Sequence, residues 1–276
     1  FNKSETLLDD QLLAGDVSFG YRVFKLYLQR VDARLKTVGR WIHAEHDFNA
    51  DESRLVDRDS IKWARTSGEL DDRWRKRVKA ELLAKKLDGT KLEDARKQLV
   101  KRYNNVGRNE KQTESSEVLQ RFLSAMTHSF DPHSSYMSPQ TREDFDISMR
   151  LRLQGIGAAL RNEEGLTTVA QIVPGGAAHK DGRLKVGDKI IGVAQAEGEF
   201  EDIVEMKLTR VVRLIRGKAG TKVRLRIKMA DSDDTKVYEL TRQVIELKES
   251  AVAAKVIDTA KRTGGRKGRI GVIRLP

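Results

Sequence analysis

The residues best suited to chemistry are the backbone groups of one short stretch, Gly155-Ile156-Gly157, set between the alternating Leu151 and Leu153 and the apolar run Ala158-Ala159-Leu160. Glycine has no Cβ, so neighbouring N–H groups can converge there into a concavity that binds an anion. The terminal carboxylate of a peptide fits such a nest, and a strand leaving it could pair with the peptide's own backbone. Taken alone, the same stretch is equally readable as a glycine-rich hairpin turn.

Side-chain chemistry is less well supplied. His43 and His46 have a spacing that could share a metal on a helix, but no acidic or thiolate companions stand at ligand spacing, and the pair reads as solvated, with no metal or cofactor expected. Asp131, Ser134 and Ser135, bracketed by His128 and His133, contain the residue types of a nucleophilic triad. Sequence proximity does not orient such groups, and Pro132 marks the run as a connector. There is no cysteine, which excludes disulfides and thiolate metal sites. The net charge of +12 invites a nucleic-acid reading, yet residues 250–276 hold seven basic side chains against one acidic. Half of the excess thus sits in one short segment, mostly Lys261-Arg262 and Arg266-Lys267-Gly268-Arg269, without aromatic residues for stacking.

At 276 residues, two domains are the prior. A charged fraction of 34% with mean hydropathy −0.57 and no long apolar run argues against a membrane-spanning chain. From about Asp16 to Ile42, the apolar Val23, Phe24, Tyr27, Leu28, Val31, Leu35 and Val38 recur at helical steps. A second helix is predicted from about Ser60 to Leu87, with Trp74, Val78 and Leu82 on one side. A third, capped by Thr90, carries Leu92, Ala95, Leu99 and Tyr103 and breaks at Asn104-Asn105 and Gly107; Val118, Phe122 and Met126 mark a fourth. After Pro139 the pattern changes to short apolar runs, Leu166 to Val173, Lys189 to Val193, Val223 to Lys228 and Val237 to Thr241, interrupted by one helical segment from about Asp202 to Ile215. The fold class is therefore multidomain: a mainly α-helical region followed by a small α+β domain, a partly open β-barrel with one long helix.

The order of these pieces resembles a PDZ domain of bacterial processing proteases: Gln154 to Ala158, VAQIVPGGAA at Val169 to Ala178, Gly182 to Ile191, and the helix ending in LIRGKAGTKVRLRI. More widely, the chain is similar to the N-terminal part of a tail-specific, or carboxy-terminal processing, protease of the S41 serine peptidase family. Phe130 to Pro139, Phe19-Gly20-Tyr21, Asp57-Arg58-Asp59 and Ile270-Gly271-Val272-Ile273 carry that likeness, the last resembling the first strand of the protease core. The resemblance divides the chain into a helical domain (1–130), a connector (131–145), a PDZ domain (146–245) and a linker with the start of the core (246–276).

The resemblance implies a Ser/Lys dyad in the parent enzyme, downstream of the last strand. No catalytic residue is carried onto this chain: Ser250, Lys255 and Lys261 match no family motif, and the fragment alone is expected to be inert. It implies further that apolar C-terminal tails of substrate proteins add as a strand beside Ala158, Ala159 and Leu160, with the carboxylate on the N–H groups of Gly155, Ile156 and Gly157. The terminal side chain would enter a pocket between Ile156, Leu160 and the helix face of Val204, Leu208, Val211 and Ile215, with Arg152 and Arg161 as further carboxylate partners. Placement in the periplasm or cell envelope, and peripheral membrane association of the parent, follow from the resemblance alone. The competing readings are a non-catalytic PDZ scaffold and a basic nucleic-acid-binding protein with nonspecific, salt-sensitive affinity.

Overall fold

The computed structural model describes residues 7–57, 59, 61–230, 232, 234–246, 252–258 and 268–275. The chain divides into two compact units, Phe1–Tyr136 and Met137–Pro276.

The first unit is helical: α1 (Leu8–Leu13), α2 (Ser18–His43), α3 (Ser67–Leu87), α4 (Leu92–Lys111) and α5 (Ser115–Phe130). The apolar stripes meet in one core, where Val38 and Ile42 of α2 pack with Val78 and Leu82 of α3 and with Ala95, Leu99 and Tyr103 of α4. Three boundaries differ from the sequence reading. Helix α3 begins at Ser67 rather than near Ser60, because the Thr66 hydroxyl accepts the Glu69 N–H at 3.1 Å and the Glu69 carboxylate accepts the Arg65 N–H at 2.9 Å. This reciprocal cap fixes the start. Helix α4 is entered from Lys91 without a side-chain cap, and runs through Asn104, Asn105 and Gly107 to Lys111 instead of breaking. Gly107 is buried there because Leu35 of α2 fills the space a Cβ would take, so the glycine serves a close helix approach. Gly20 of α2 does the same beneath Phe122 of α5, whose ring would lie 2.7 Å from an added Cβ.

The second unit opens with a helix where only a connector and strands were expected, α6 (Pro139–Arg150). Proline at its first position and the Ser138 hydroxyl, which accepts the Thr141 N–H, start it. Leu151 ends it in the left-handed region (φ 52°), so this leucine is a helix cap and not part of a strand. There follow β1 (Arg152–Gly155), β2 (Ala158–Glu163), β3 (Leu166–Ile172), the short α7 (Ala177–Asp181), β4 (Lys189–Gln195), β5 (Glu201–Asp202), α8 (Leu208–Ile215), β6 (Lys222–Lys228), β7 (Thr235–Thr241), β8 (Gln243–Glu246), β9 (Ala253–Asp258) and β10 (Arg269–Arg274).

The main sheet is antiparallel in the order β2-β3-β4-β6-β7, with β5 beside β4; its ends do not meet, so it is an open sheet and not a barrel. Alternation drives it: Val223, Leu225 and Ile227 of β6 and Tyr238 and Leu240 of β7 point into the core while their neighbours face outward. Helix α8 has eight residues rather than the expected span from Asp202, because Glu201 and Asp202 pair with β4 and the Asp202 carboxylate accepts the Val204 N–H to form a turn. Two small ladders complete the unit, β1 with β8 and β9 with β10.

Candidate functional site

The candidate site combines one sheet edge, one loop and one helix. Strand β2 is the terminal strand of its sheet, paired with β3 on one side only among the described residues, and α8 packs against it. The Val173 N–H donates to Gly157 O at 2.8 Å, the bond that flanks the Ala158–Ile172 pair. Ala158 is therefore in a non-hydrogen-bonded pair, and its own N–H and C=O face the open edge. An open strand edge of this kind is what strand addition requires.

The loop before it is turned the same way. Ile156 O accepts the Ala178 N–H at 2.8 Å, which draws that carbonyl into the protein. In a planar trans peptide the next N–H points oppositely, so the N–H of Gly157 faces out, as does that of Ala158 beyond the bound Gly157 carbonyl. No acceptor for the N–H of Ile156 or Gly157 is found among the described residues. Gly155 stands opposite Gln243 in the β1–β8 ladder. Gly157 has φ 77°, and a Cβ on it would lie 2.9 Å from Ile245 Cδ1 and 3.0 Å from Gly176 Cα. Only glycine satisfies both constraints; the left-handed conformation alone costs other residues about 1–2 kcal/mol.

The apolar residues named from the sequence separate into two groups. Ile156, Val211 and Ile215 are fully buried members of the core, at 2%, 0% and 3% exposure. Leu208 is half-buried at the start of α8, and Ala158 and Leu160 are half-buried on β2, with Ala159 exposed. Val204 lies outside the helix, 43% exposed on the turn before it. Val212, which the sequence places on the apolar side of this helix but not among the peptide contacts, is half-buried four residues after Leu208 and lies outside the core cluster, so Leu208 and Val212 share the half-buried face of α8.

Two arginines fix that helix. Arg242 is 3% exposed and donates to Ile215 O (2.8 Å), Leu214 O (3.0 Å), Lys222 O (3.1 Å), Thr221 Oγ1 (3.0 Å) and Gln195 Oε1 (2.7 Å). It caps the C-terminal carbonyls of α8 with a buried cation, and its burial lowers its pKa. Arg216 follows α8 directly; its Nη1 donates to Asp144 Oδ1 of α6 at 2.7 Å. Arg152 and Arg161 are instead engaged by Glu246 (3.3 Å) and Glu163 (2.6 Å).

The other sequence candidates lie elsewhere. His46 Nε2 bonds the Trp41 carbonyl at 2.7 Å and is half-buried rather than solvated, while His43 is exposed. Ser134 Oγ donates to Asp131 Oδ2 at 2.6 Å, and Asp131 Oδ1 accepts the His133 N–H, which makes a turn; these contacts keep the Asp131 carboxyl below its ordinary pKa. Arg58, Ser250, Lys261-Arg262 and Arg266-Lys267 lie outside the described residues. Lys255 is on β9 and exposed.

Comparison with known proteins agrees with this architecture. The model of the tail-specific protease N-terminal domain matches residues 1–140, and that of the PDZ domain matches residues 145–228. The chain belongs to the tail-specific protease family. It is 34% identical to a tail-specific protease of Haemophilus influenzae over 274 residues, 99% of this chain and 39% of that protein. The carboxy-terminal processing protease CtpA of Bacillus subtilis is 31% identical over 119 residues, 43% of this chain and 24% of that protein. The chain thus spans less than two fifths of the length of either family member. Among solved structures, the PDZ domain of a carboxy-terminal protease from Vibrio cholerae, crystallised with a peptide, is 37% identical and covers 35% of this chain and all of that one, with a TM-score of 0.34.

Proposed function

We propose that this chain is the substrate-recognition portion of a C-terminal processing serine endopeptidase. Its PDZ domain captures the apolar C-terminus of a substrate protein and regulates delivery to a protease core. The observation that carries the reading is the junction of the open β2 edge with the outward N–H groups of Gly157 and Ala158, a strand site that ends in a carboxylate site. The tail's last side chain lies beside Leu160 and Val212. The side chain two residues earlier, one strand repeat away, lies beside Leu208, because two strand residues and one helical turn cover similar lengths.

In this reading hydrolysis belongs to a Ser/Lys dyad of the parent enzyme, and no residue of this chain is assigned to it. In this reading residues 1–130 form the helical domain, 131–145 the connector, 146–245 the PDZ domain and 246–276 the entry to the protease core, with β10 as its first strand. The parent acts in the periplasm or cell envelope, with peripheral membrane association; no described helix is long and apolar enough to cross a membrane.

Fluorescence polarisation with a labelled peptide ending in small apolar residues tests the site. The free acid is expected to bind at least about tenfold more tightly than the C-terminal amide, since hydrogen bonds to a charged group contribute about 1.5–3 kcal/mol. Equal affinity of the two forms would refute the carboxylate nest.

A further inference from the structure

The second unit holds a cavity that no residue of the candidate groove lines, about 850 Å³ in volume, between α6, the β1–β8 ladder and the loop after α8. That volume suits a small organic ligand or a short peptide. Ile147, Leu153 and Val244 give it an apolar lining. Arg152 and Arg216 also border it and are engaged by Glu246 and Asp144. The remaining charges are unspent: Glu143, Asp146 and Arg150 of α6 and Lys218 of the loop line the cavity, and none has a hydrogen-bond or ion-pair partner for its side chain among the described residues. Asp146 and Arg150 stand one helical turn apart, acid first, a spacing at which such pairs readily close. They stay apart here, and Asp146 is half-buried, so a carboxylate is partly desolvated without a counter-charge. The loop adds backbone donors. The N–H groups of Gly217 and Lys218 have no acceptor among the described residues, while the next N–H, that of Ala219, donates to Gln154 Oε1 at 2.7 Å. Gly217 sits against the buried Arg242, whose Nε would lie 2.9 Å from an added Cβ, so the loop is held from both sides.

We propose that this cavity is a second peptide site, for short peptides with both ends free. The α-ammonium meets Glu143 and Asp146, and the carboxylate meets Lys218 and the N–H groups of Gly217 and Lys218. An apolar side chain between the two ends rests against Ile147, Leu153 and Val244. Charge balance selects this ligand class. A simple anion would be repelled by Glu143 and Asp146, and a simple cation by Arg150 and Lys218; a ligand that carries both charges, set apart, pairs with both. Hydrolysis of a peptide bond close to a chain's end releases a fragment of this kind, with a new ammonium and the old carboxylate. The source of the ligand therefore rests on the processing reading above, whereas the site rests on the cavity and its unpaired charges.

The test uses the full chain and a tripeptide of leucine, glycine and glycine, free at both ends, with its N-acetylated and C-amidated forms. Its last residue has no side chain to fill a terminal pocket in the groove. Calorimetry is expected to show binding of the free tripeptide, weakened about three- to tenfold by acetylation and by amidation alike. Asp146→Asn should weaken the free form by a similar factor and leave the acetylated form unchanged, with Glu143→Gln as a second variant of the same wall. Lys218→Met should weaken the free form and leave the amide unchanged. The labelled apolar tail should keep its affinity in all three variants and should not be displaced by the tripeptide. No binding of the free tripeptide, equal binding of the free and acetylated forms, an equal loss of both in Asp146→Asn, or displacement of the labelled tail overturns the cavity site and leaves the groove standing. Equal binding of the tail as acid and amide overturns the groove nest instead, while the dependence of the tripeptide on Asp146 and Lys218 still decides the cavity.

Discussion

The division of α8 into a core side and a groove side makes the sharpest prediction, because it rests on adjacent residues of the same type. Val211 is 0% exposed and belongs to the core cluster, whereas Val212 is half-buried outside it. Truncating either to alanine removes two methyl groups. At Val211 the lost transfer term is about 1.6 kcal/mol, and a residual cavity brings the total to about 2–3 kcal/mol. At Val212 the side chain is already part-solvated, so the fold loses less than about 1 kcal/mol. A bound tail then loses contact worth about 0.8–1.4 kcal/mol, a four- to tenfold drop in affinity. All three tryptophans, Trp41, Trp63 and Trp74, lie in the first unit, so their fluorescence does not report the second. Hydrogen exchange of β4 and β6 amides measures stability there, and fluorescence polarisation measures the peptide. Val211→Ala should lose protection with little change in the affinity of the folded fraction, and Val212→Ala the reverse. Equal losses of protection, with affinity untouched in both, would refute the assignment of the two faces.

Arg242→Met should lower the stability of the second unit by about 2–4 kcal/mol in the same exchange experiment, since it strands the carbonyls of Leu214, Ile215 and Lys222 around a buried site; Arg242→Lys should restore little of it, a single ammonium being unable to span the five acceptors, and a loss under about 1 kcal/mol would contradict the cap. In the first unit, Glu52 accepts from Arg75 and from Lys79 (2.6 Å), and these bonds hold its carboxyl at about 2 instead of 4.5. The unfolded chain binds more protons between those values, so the stabilisation is complete above about pH 4.5 and lost as pH falls through about 2; thermal unfolding across that window should be less steeply pH-dependent in Glu52→Gln, and an identical slope would count against the triad.

What the sequence revealed of the fold follows from which force shapes each element. Helix α2 and the strands β4, β6 and β7 were legible because burial forces a period on apolar residues, and the period survives in the sequence. Helix α6 is not legible in the same way because it buries no residue fully, so no apolar stripe had to form; its local signal is Ser138-Pro139 at the cap. Gly107 misled in the opposite direction. Glycine read as a helix stop is a statement about conformation, whereas here it meets a demand for space, set by Leu35 some seventy residues earlier and invisible in any local window.

The groove shows the same contrast more sharply. Its backbone part, the loop Gly155-Ile156-Gly157 and the strand after it, can be named as a candidate from sequence, because converging N–H groups demand glycine and glycine is visible. Its side-chain part could not. Val211 and Val212 lie about 100° apart on one helix, and only the elements packed on each side decide which of them meets a ligand. Arg216 and Asp144 are separated by 72 residues and share no motif; the fold alone turns one toward the other. A candidate site made of backbone is therefore written locally, while a charge pair that joins distant segments is chosen by tertiary structure. Here the backbone of the candidate site is the legible part, and the side chains that would line it are not.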